Sequence, residues 1–276
     1  MNESTKDDIR ALVRERYGRI ARGDDAGCCA PGACGAQPDA GLALGYSRDE
    51  LDAVPEGASL GLGCGNPQAT AGLREGETVL DLGAGAGFDC LLAAQRVGPR
   101  GHVIGVDMTP EMVSRARANA AQLGASNVHF RLGEIENLPV PDDSVDVILS
   151  NCVVNLSPDK AAVFREAYRV LKAGGRLAIA DVVATAALPA ALPEDVGPLT
   201  SCVAGAVDAA TLEQIIEDAG FVDVEVRVDE GSRALTRGWA AGSGLGDYIA
   251  SAAIAATKPG AASCCGPTCC APEALA

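Results

Sequence analysis

Apolar side chains recur at Ile9, Leu12, Val13, Tyr17 and Ile20, the three-to-four spacing of an amphipathic helix over residues 7–22. From Glu77 onward the pattern changes. Short aliphatic runs (TVLDL, HVIGVD, VHFRL, VDVILS and RLAIADVV) read as strands and alternate with stretches of helical periodicity. Those helices are expected at Phe88–Val97, at Pro110–Leu123 with Thr109 as its cap and proline in its first turn, and at 158–172 with Gly174 just past its end. Residues 185–210 are irregular and proline-rich, 211–219 read as a helix, and FVDVEVRV and YIASAAIAATK as closing strands. Strands alternating with helices through short links predict an α/β chain with a doubly wound, mainly parallel sheet and an antiparallel C-terminal strand.

Four stretches follow from this pattern. Residues 1–45 hold the N-terminal helix and a Gly/Ala/Pro loop with Cys28, Cys29 and Cys34; residues 46–183 hold the regular core. Ser47, with Glu50 three residues on, caps a short helix at the start of that core. Residues 184–259 carry Cys202 and complete the sheet, and 260–276 form a low-complexity tail with two cysteine pairs, expected to be flexible.

The chain has 276 residues, 48% of them apolar but only 3% aromatic, so its core is aliphatic. Its 37 acidic against 22 basic side chains give a net charge of −15. Such a surface repels phosphate backbones and anionic lipid, which excludes nucleic acid and membrane as expected partners. No apolar run reaches membrane-spanning length, and the charged first 22 residues do not resemble a signal peptide, so a reducing cytoplasm is the expected location. Eleven cysteines in that setting read as ligands or redox groups rather than as a disulfide framework. The two histidines, His102 and His129, fall inside strand-like runs and are expected to be strand or packing residues.

TVLDLGAGAGFD places Gly83, Gly85 and Gly87 between the first strand and the first helix of the core, where a ligand can approach the backbone and meet free N–H groups. Phe88 stands where a dinucleotide fingerprint has its third glycine. Asp81, just before the turn, would repel a pyrophosphate but can accept hydrogen bonds from an amino-acid ammonium. Asp107, at the end of the second strand, suits two ribose hydroxyls, and Glu134 and Ile135, in GEIENLPVPDD, suit an adenine edge and face. The combination favours S-adenosylmethionine over a nicotinamide cofactor. Residues 77–228 resemble the class I S-adenosylmethionine-dependent methyltransferases. The cofactor-binding set expected on that basis is Asp81, Gly83, Ala84, Gly85, Gly87, Asp107, Met108, Gly133, Glu134, Ile135 and Asn151.

Ligands in such folds lie at the carboxyl ends of the strands, and SNC puts the Cys152 thiol there. Cys64 in a glycine-rich turn and Cys202 in the irregular segment also stand apart from the cysteine pairs. Each can also be read as a small buried hydrophobe, and Cys90, inside a helix, is expected to be one. YSRDELDAVPEGASLGLGCGNP, DLGAGAGFDC, SNCVVNL and SCVAGA together resemble arsenite S-adenosylmethionine methyltransferases over residues 46–259. The resemblance implies that Cys64, Cys152 and Cys202 bind As(III). It also implies a redox cysteine in the N-terminal loop, for which Cys28, Cys29 and Cys34 compete; a disulfide formed there would need a dithiol reductant such as thioredoxin as partner. Thiolate-bound arsenic keeps a lone pair that can take an electrophilic methyl without a general base. Arsenite, arriving as a thiol conjugate, would be bound with release of protons and more weakly at low pH. Methylation of a small organic acceptor, or simple sequestration of soft metals, are the competing readings.

Overall fold

The computed structural model describes residues 3–24, 40–187, 202–233 and 247–260. Helix α1 (Glu3–Arg22) precedes three short helices, α2 (Ala40–Ala43), α3 (Arg48–Asp52) and α4 (Gln68–Ala71). The core then alternates: β1 (Thr78–Leu82), α5 (Phe88–Val97), β2 (His102–Asp107), α6 (Pro110–Leu123), β3 (Val128–Leu132), β4 (Val145–Asn151), α7 (Lys160–Val170) and β5 (Leu171–Ala184). Helix α8 (Ala209–Asp218) and strands β6 (Val222–Asp229) and β7 (Ile249–Thr257) complete it. The strands form one sheet in the order β3-β2-β1-β4-β5-β7-β6. All neighbours pair in parallel except β7, which runs antiparallel between β5 and β6. This is the doubly wound, mainly parallel α/β sheet that the alternation predicts.

Side-chain alternation sorts the core. Val79, Val103, Val147 and Leu149 face α5 and α6 with Leu91, Val113 and Ala116, while Leu80, Leu82, Val106 and Ile148 face α7 and α8 with Phe164, Leu212 and Ile216. Strands buried on both faces need aliphatic residues at every position, which is why they read as unbroken apolar runs.

Three local expectations change. The helix expected over 158–172 stops at Val170, because Leu171 adopts extended backbone and pairs with Val145 at the start of β5. Gly174, at φ +79, therefore lies within a strand rather than past a helix. Leu12 is 53% exposed, whereas Ile9, Val13 and Ile20 are buried, so the apolar stripe of α1 is narrower than its spacing suggested. Thr109 does occupy the N-cap of α6 ahead of Pro110, but its side chain makes no capping hydrogen bond. Ser47 forms the expected capping box with Glu50. Both histidines are exposed strand residues. Among the described residues no helix is long and apolar enough to cross a membrane.

Strand order reverses between β1 and β4, so the connections that follow these strands leave in opposite directions and open a crevice at their carboxyl ends. Helix α1 lies across this end, tied down by ion pairs from Lys6 to Asp159 (2.7 Å), Arg14 to Glu134 (3.1 Å) and Arg22 to Glu111 (2.6 Å).

Candidate functional site

The crevice holds roughly 1170 Å³ of empty space, part of it open to solvent. Asp81, Gly83, Ala84, Gly85, Asp107, Met108, Gly133, Ile135, Asn151 and Cys152 line it. Gly87 and Glu134 do not. Gly87 caps α5 at φ +90, and a Cβ there would meet the Phe130 ring at 2.8 Å, so its role is to let helix and sheet approach. Glu134 turns to Arg14, and it is Glu136 that faces the cleft, 3.5 Å from the buried Arg10 guanidinium.

The turn after β1 is held from β2. Asp107 accepts the Gly85 N–H at 2.9 Å through one oxygen and the Thr109 N–H at 2.8 Å through the other. Burial pushes its carboxyl upward, and those two amides act against the shift by stabilising the charge. Each oxygen keeps accepting capacity for a hydroxyl in the cleft. Gly83, at φ +68, lies so close to Val153 that a Cβ would fall 2.4 Å from its methyl, so the turn and the segment after β4 are packed as one unit.

Asp81 is buried, and so is Asp89 in the first turn of α5. Burial raises both carboxyls, Asp89 raises Asp81 further, and among the described residues neither has an ion-pair partner. Two buried acids without a counter-ion beside an open cleft make a place that favours a cation. The Cys90 thiol donates to Asp81 at 3.3 Å and is itself fully buried, in keeping with a packing role. Asp89 accepts from the Tyr46 hydroxyl at 2.8 Å and from Gln68 at 3.0 Å. Burial and Asp89 push the Tyr46 phenol far upward, so it remains a donor.

Asn151 joins the cleft to the cysteines. Its amide nitrogen donates to the Gly65 carbonyl at 2.8 Å and to Tyr46 at 3.1 Å, and its oxygen accepts the Cys64 N–H at 3.0 Å. The Gly63–Gly65 turn is thus fixed from β4, with the Cys64 thiol directed at the Ala180 carbonyl, 3.4 Å away. Cys152 follows β4 with a left-handed backbone, φ +59, and its N–H donates to the same carbonyl at 2.8 Å.

Cys64, Cys152 and Cys202 lie in one apolar cluster with Val182, Val203 and Ile249. The sulfurs do not form the expected trio, however. Among the described residues, the ligand atoms that all lie within 4.8 Å of one another belong to Cys64, Cys152 and Asp181. The Cys202 thiol instead donates to the Cys152 carbonyl at 2.8 Å. Its side chain also interacts with the Cys152 sulfur, but Cys202 is not part of the set whose atoms all lie within 4.8 Å of one another.

Asp181 is buried within β5 and pushed up to about 6 by burial, against hydrogen bonds from Val182 and Asn155 and the charge of Lys160. Burial pushes the Cys152 thiol well above its ordinary value. Cys28, Cys29 and Cys34, and the two cysteine pairs of the tail, lie outside the described residues. Tyr46, Asp89, Asn155 and Asp181 were not singled out in the sequence. The available signal was an acid inside an otherwise apolar strand, RLAIADVV, and an acid in the first turn of the helix that follows the glycines.

The methyltransferase domain family matches residues 73–220. The chain is 52% identical to the arsenite methyltransferase of Halobacterium salinarum, over 92% of its own length and 67% of the relative's. It is 38% identical to the arsenite methyltransferase of Mus musculus over 64% of its own length, and spans about half of that protein (49%). Among solved structures it resembles an arsenic(III) S-adenosylmethionine methyltransferase from Chlamydomonas reinhardtii, with 35% identity and a TM-score of 0.59 over 81% of this chain and 74% of the other.

Proposed function

The chain belongs to the class I S-adenosylmethionine-dependent methyltransferases and within them to the arsenite methyltransferases, and from this premise we propose that it transfers a methyl group to trivalent arsenic held on cysteine sulfur. The residues of the cleft fit the cofactor. The uncompensated acids Asp81 and Asp89 suit its ammonium, directly or through water, and Asp107 suits its ribose hydroxyls. Met108 and Ile135 offer an apolar seat for its ring, and the glycine turn leaves room at Gly85, where a Cβ would meet nothing within 4 Å. When bound, the cofactor supplies a sulfonium methyl, which the arsenic lone pair takes while S-adenosylhomocysteine departs.

The observation that carries this reading is the meeting of the Cys64 and Cys152 sulfurs, within 4.8 Å, beside the crevice that Cys152 lines. They are the first two ligands of the substrate, and Cys202 is the third after a shift of its turn. The arsenic needs no general base, since its nucleophile is a lone pair and loses no proton. The chain's part is to hold the two reactants adjacent in a site shielded from water. After transfer arsenic is formally pentavalent. Two thiols joining into a disulfide return it to the trivalent state, giving up two electrons and two protons, and a dithiol reductant of the thioredoxin kind resets them. Cys28, Cys29 and Cys34 are the candidates for that step.

The test is incubation with arsenite, a thiol reductant and methyl-labelled cofactor, followed by speciation of the arsenic. Labelled methylarsenicals are expected, and their absence overturns the assignment. Because the buried Cys152 thiol is protonated in neutral water, each sulfur takes neutral arsenous acid with loss of one water: the thiol hydrogen leaves with a hydroxyl of arsenic. Equilibrium affinity for arsenous acid is therefore expected to stay flat between about pH 6 and 8, in place of the proton release and the weakening at low pH expected from the sequence. The association rate, which runs through the thiolate, is expected to fall by up to about tenfold for each unit of acidification. Stopped-flow binding across that range separates the two.

A further inference from the structure

We propose that Cys64, Cys152 and Asp181 form a binding site for a borderline divalent cation, zinc above all, and that such an ion competes with arsenite for the two sulfurs. Arsenic(III) on protein thiols is best served by sulfur in every position. Here the third corner is a carboxylate oxygen, while Cys202 points to a backbone carbonyl. Two thiolates and a carboxylate with one position left open match the donor preferences and coordination number of zinc.

The carboxylate is built in rather than incidental. One of its oxygens accepts from Asn155 Nδ2 at 2.9 Å and from the Val182 N–H at 2.8 Å, and the other accepts from the Asn155 N–H at 3.2 Å. Three donors from two segments fix its plane, as the second layer around a metal ligand does. Cys152 is held as firmly, by its left-handed backbone and its bond to Ala180. All three groups are at most 5% exposed, so the charges they take on with the ion would be balanced by the ion itself rather than by water. Zinc on two thiolates and one carboxylate leaves a net charge of −1. The Lys160 ammonium, whose field acts on both Asp181 and Cys202, lies close enough to offset it. Zinc–sulfur and zinc–oxygen distances of about 2.3 and 2.0–2.2 Å put tetrahedral ligand atoms roughly 3.6–3.8 Å apart, and these three lie within 4.8 Å of one another. The thiol protons leave to solvent as the ion binds.

The competition rests on the arsenite reading of these sulfurs; the metal site does not. The test uses the full chain with serine at Cys28, Cys29, Cys34, Cys264, Cys265, Cys269 and Cys270, reduced with a phosphine and stripped of metal. Zinc ion alone, titrated against a chromophoric chelator, is expected to bind at one equivalent. Cobalt ion is expected to show thiolate charge-transfer absorption that Cys152→Ser diminishes. Asp181→Asn is expected to weaken zinc by about tenfold or more. Arsenite is expected to displace zinc one for one. No stoichiometric zinc, or equal zinc affinity in a folded Asp181→Asn protein, overturns the metal site. If Asp181→Asn does not fold, unchanged cobalt absorption in Cys152→Ser overturns it instead. Zinc that arsenite fails to displace supports the metal site and overturns the placing of arsenite on Cys64 and Cys152.

Discussion

Gly205→Ala is expected to lower arsenite methylation by roughly a hundredfold, the scale of loss when a reacting group is displaced by about 1 Å. The turn that carries Cys202 presses Gly205 onto the segment after β4. A Cβ there would stand 1.9 Å from the Asn155 carbonyl oxygen and 2.9 Å from its carbon. Both are backbone atoms, so no rotamer change relieves the overlap. Asn155 cannot retreat either. Its N–H and side chain are bonded to Asp181, and its Nδ2 also donates to the Val182 carbonyl at 2.7 Å. The turn must lift, and Cys202 lifts with it, losing its 2.8 Å bond to the Cys152 carbonyl. Neither Asn155 nor the turn of Gly205 lines the cofactor cleft. Cofactor affinity, read by calorimetric titration, should therefore stay within about twofold, since sites that share no partner act almost independently. Full methylation by a folded Gly205→Ala protein would remove Cys202 from the acceptor site.

Asp107→Asn is expected to weaken S-adenosylmethionine binding by roughly a hundredfold, the worth of one to two charge-assisted hydrogen bonds. The substitution keeps size and shape but not chemistry. Asp107 accepts an amide on each oxygen, from Gly85 and from Thr109. Whichever way an asparagine amide is turned, one of those N–H groups faces an NH₂ and is left without an acceptor. The turn keeps its backbone bonds to the Val106 carbonyl, but either Gly85 or Thr109 loses its acceptor, and the ribose hydroxyls lose the carboxylate. Calorimetric titration with the cofactor reads the loss directly, and a dissociation constant within threefold of the parent would dismiss Asp107 as the ribose acceptor. Arsenite binding to Cys64 and Cys152, held from β4 and β5, should be unaffected.

The sheet was legible because its strands are buried on both faces and its turns need glycine. Aliphatic runs such as VDVILS and a turn such as LGAGAG have few other physical meanings. The end of α7 was harder to read. Helical propensity runs on through Leu171 and Lys172, but pairing of Leu171 with Val145 and the Lys172–Asp146 ion pair at 2.8 Å outweigh it. Propensity is local, whereas pairing spans the fold. The site divides in the same way. Gly83, Gly85, Asp107 and Cys152 sit at strand ends, where position alone points to a ligand. Asp89 resembles an ordinary acid in a first helical turn, and only its bond to Tyr46, 43 residues away, shows that it is buried beside Asp81. Asp181 looks like one polar residue in a strand. Its company of two sulfurs depends on β5 lying next to β4, which no short stretch of sequence encodes. Cys202 is implied among the sulfurs by the family resemblance; its thiol reaches the Cys152 carbonyl and its side chain interacts with the Cys152 sulfur, a meeting of segments 50 residues apart that no short stretch shows.

Residue 152 is neither glycine nor asparagine, although its main-chain twist is one that a side chain with a Cβ resists at roughly 1–2 kcal/mol. Selection for robustness alone would exchange that sulfur for a hydrogen, tightening the architecture and silencing the chemistry in one step. Variants gathered only for heat resistance should therefore shed this position early, and a screen that demands both durability and turnover will keep meeting the same compromise here.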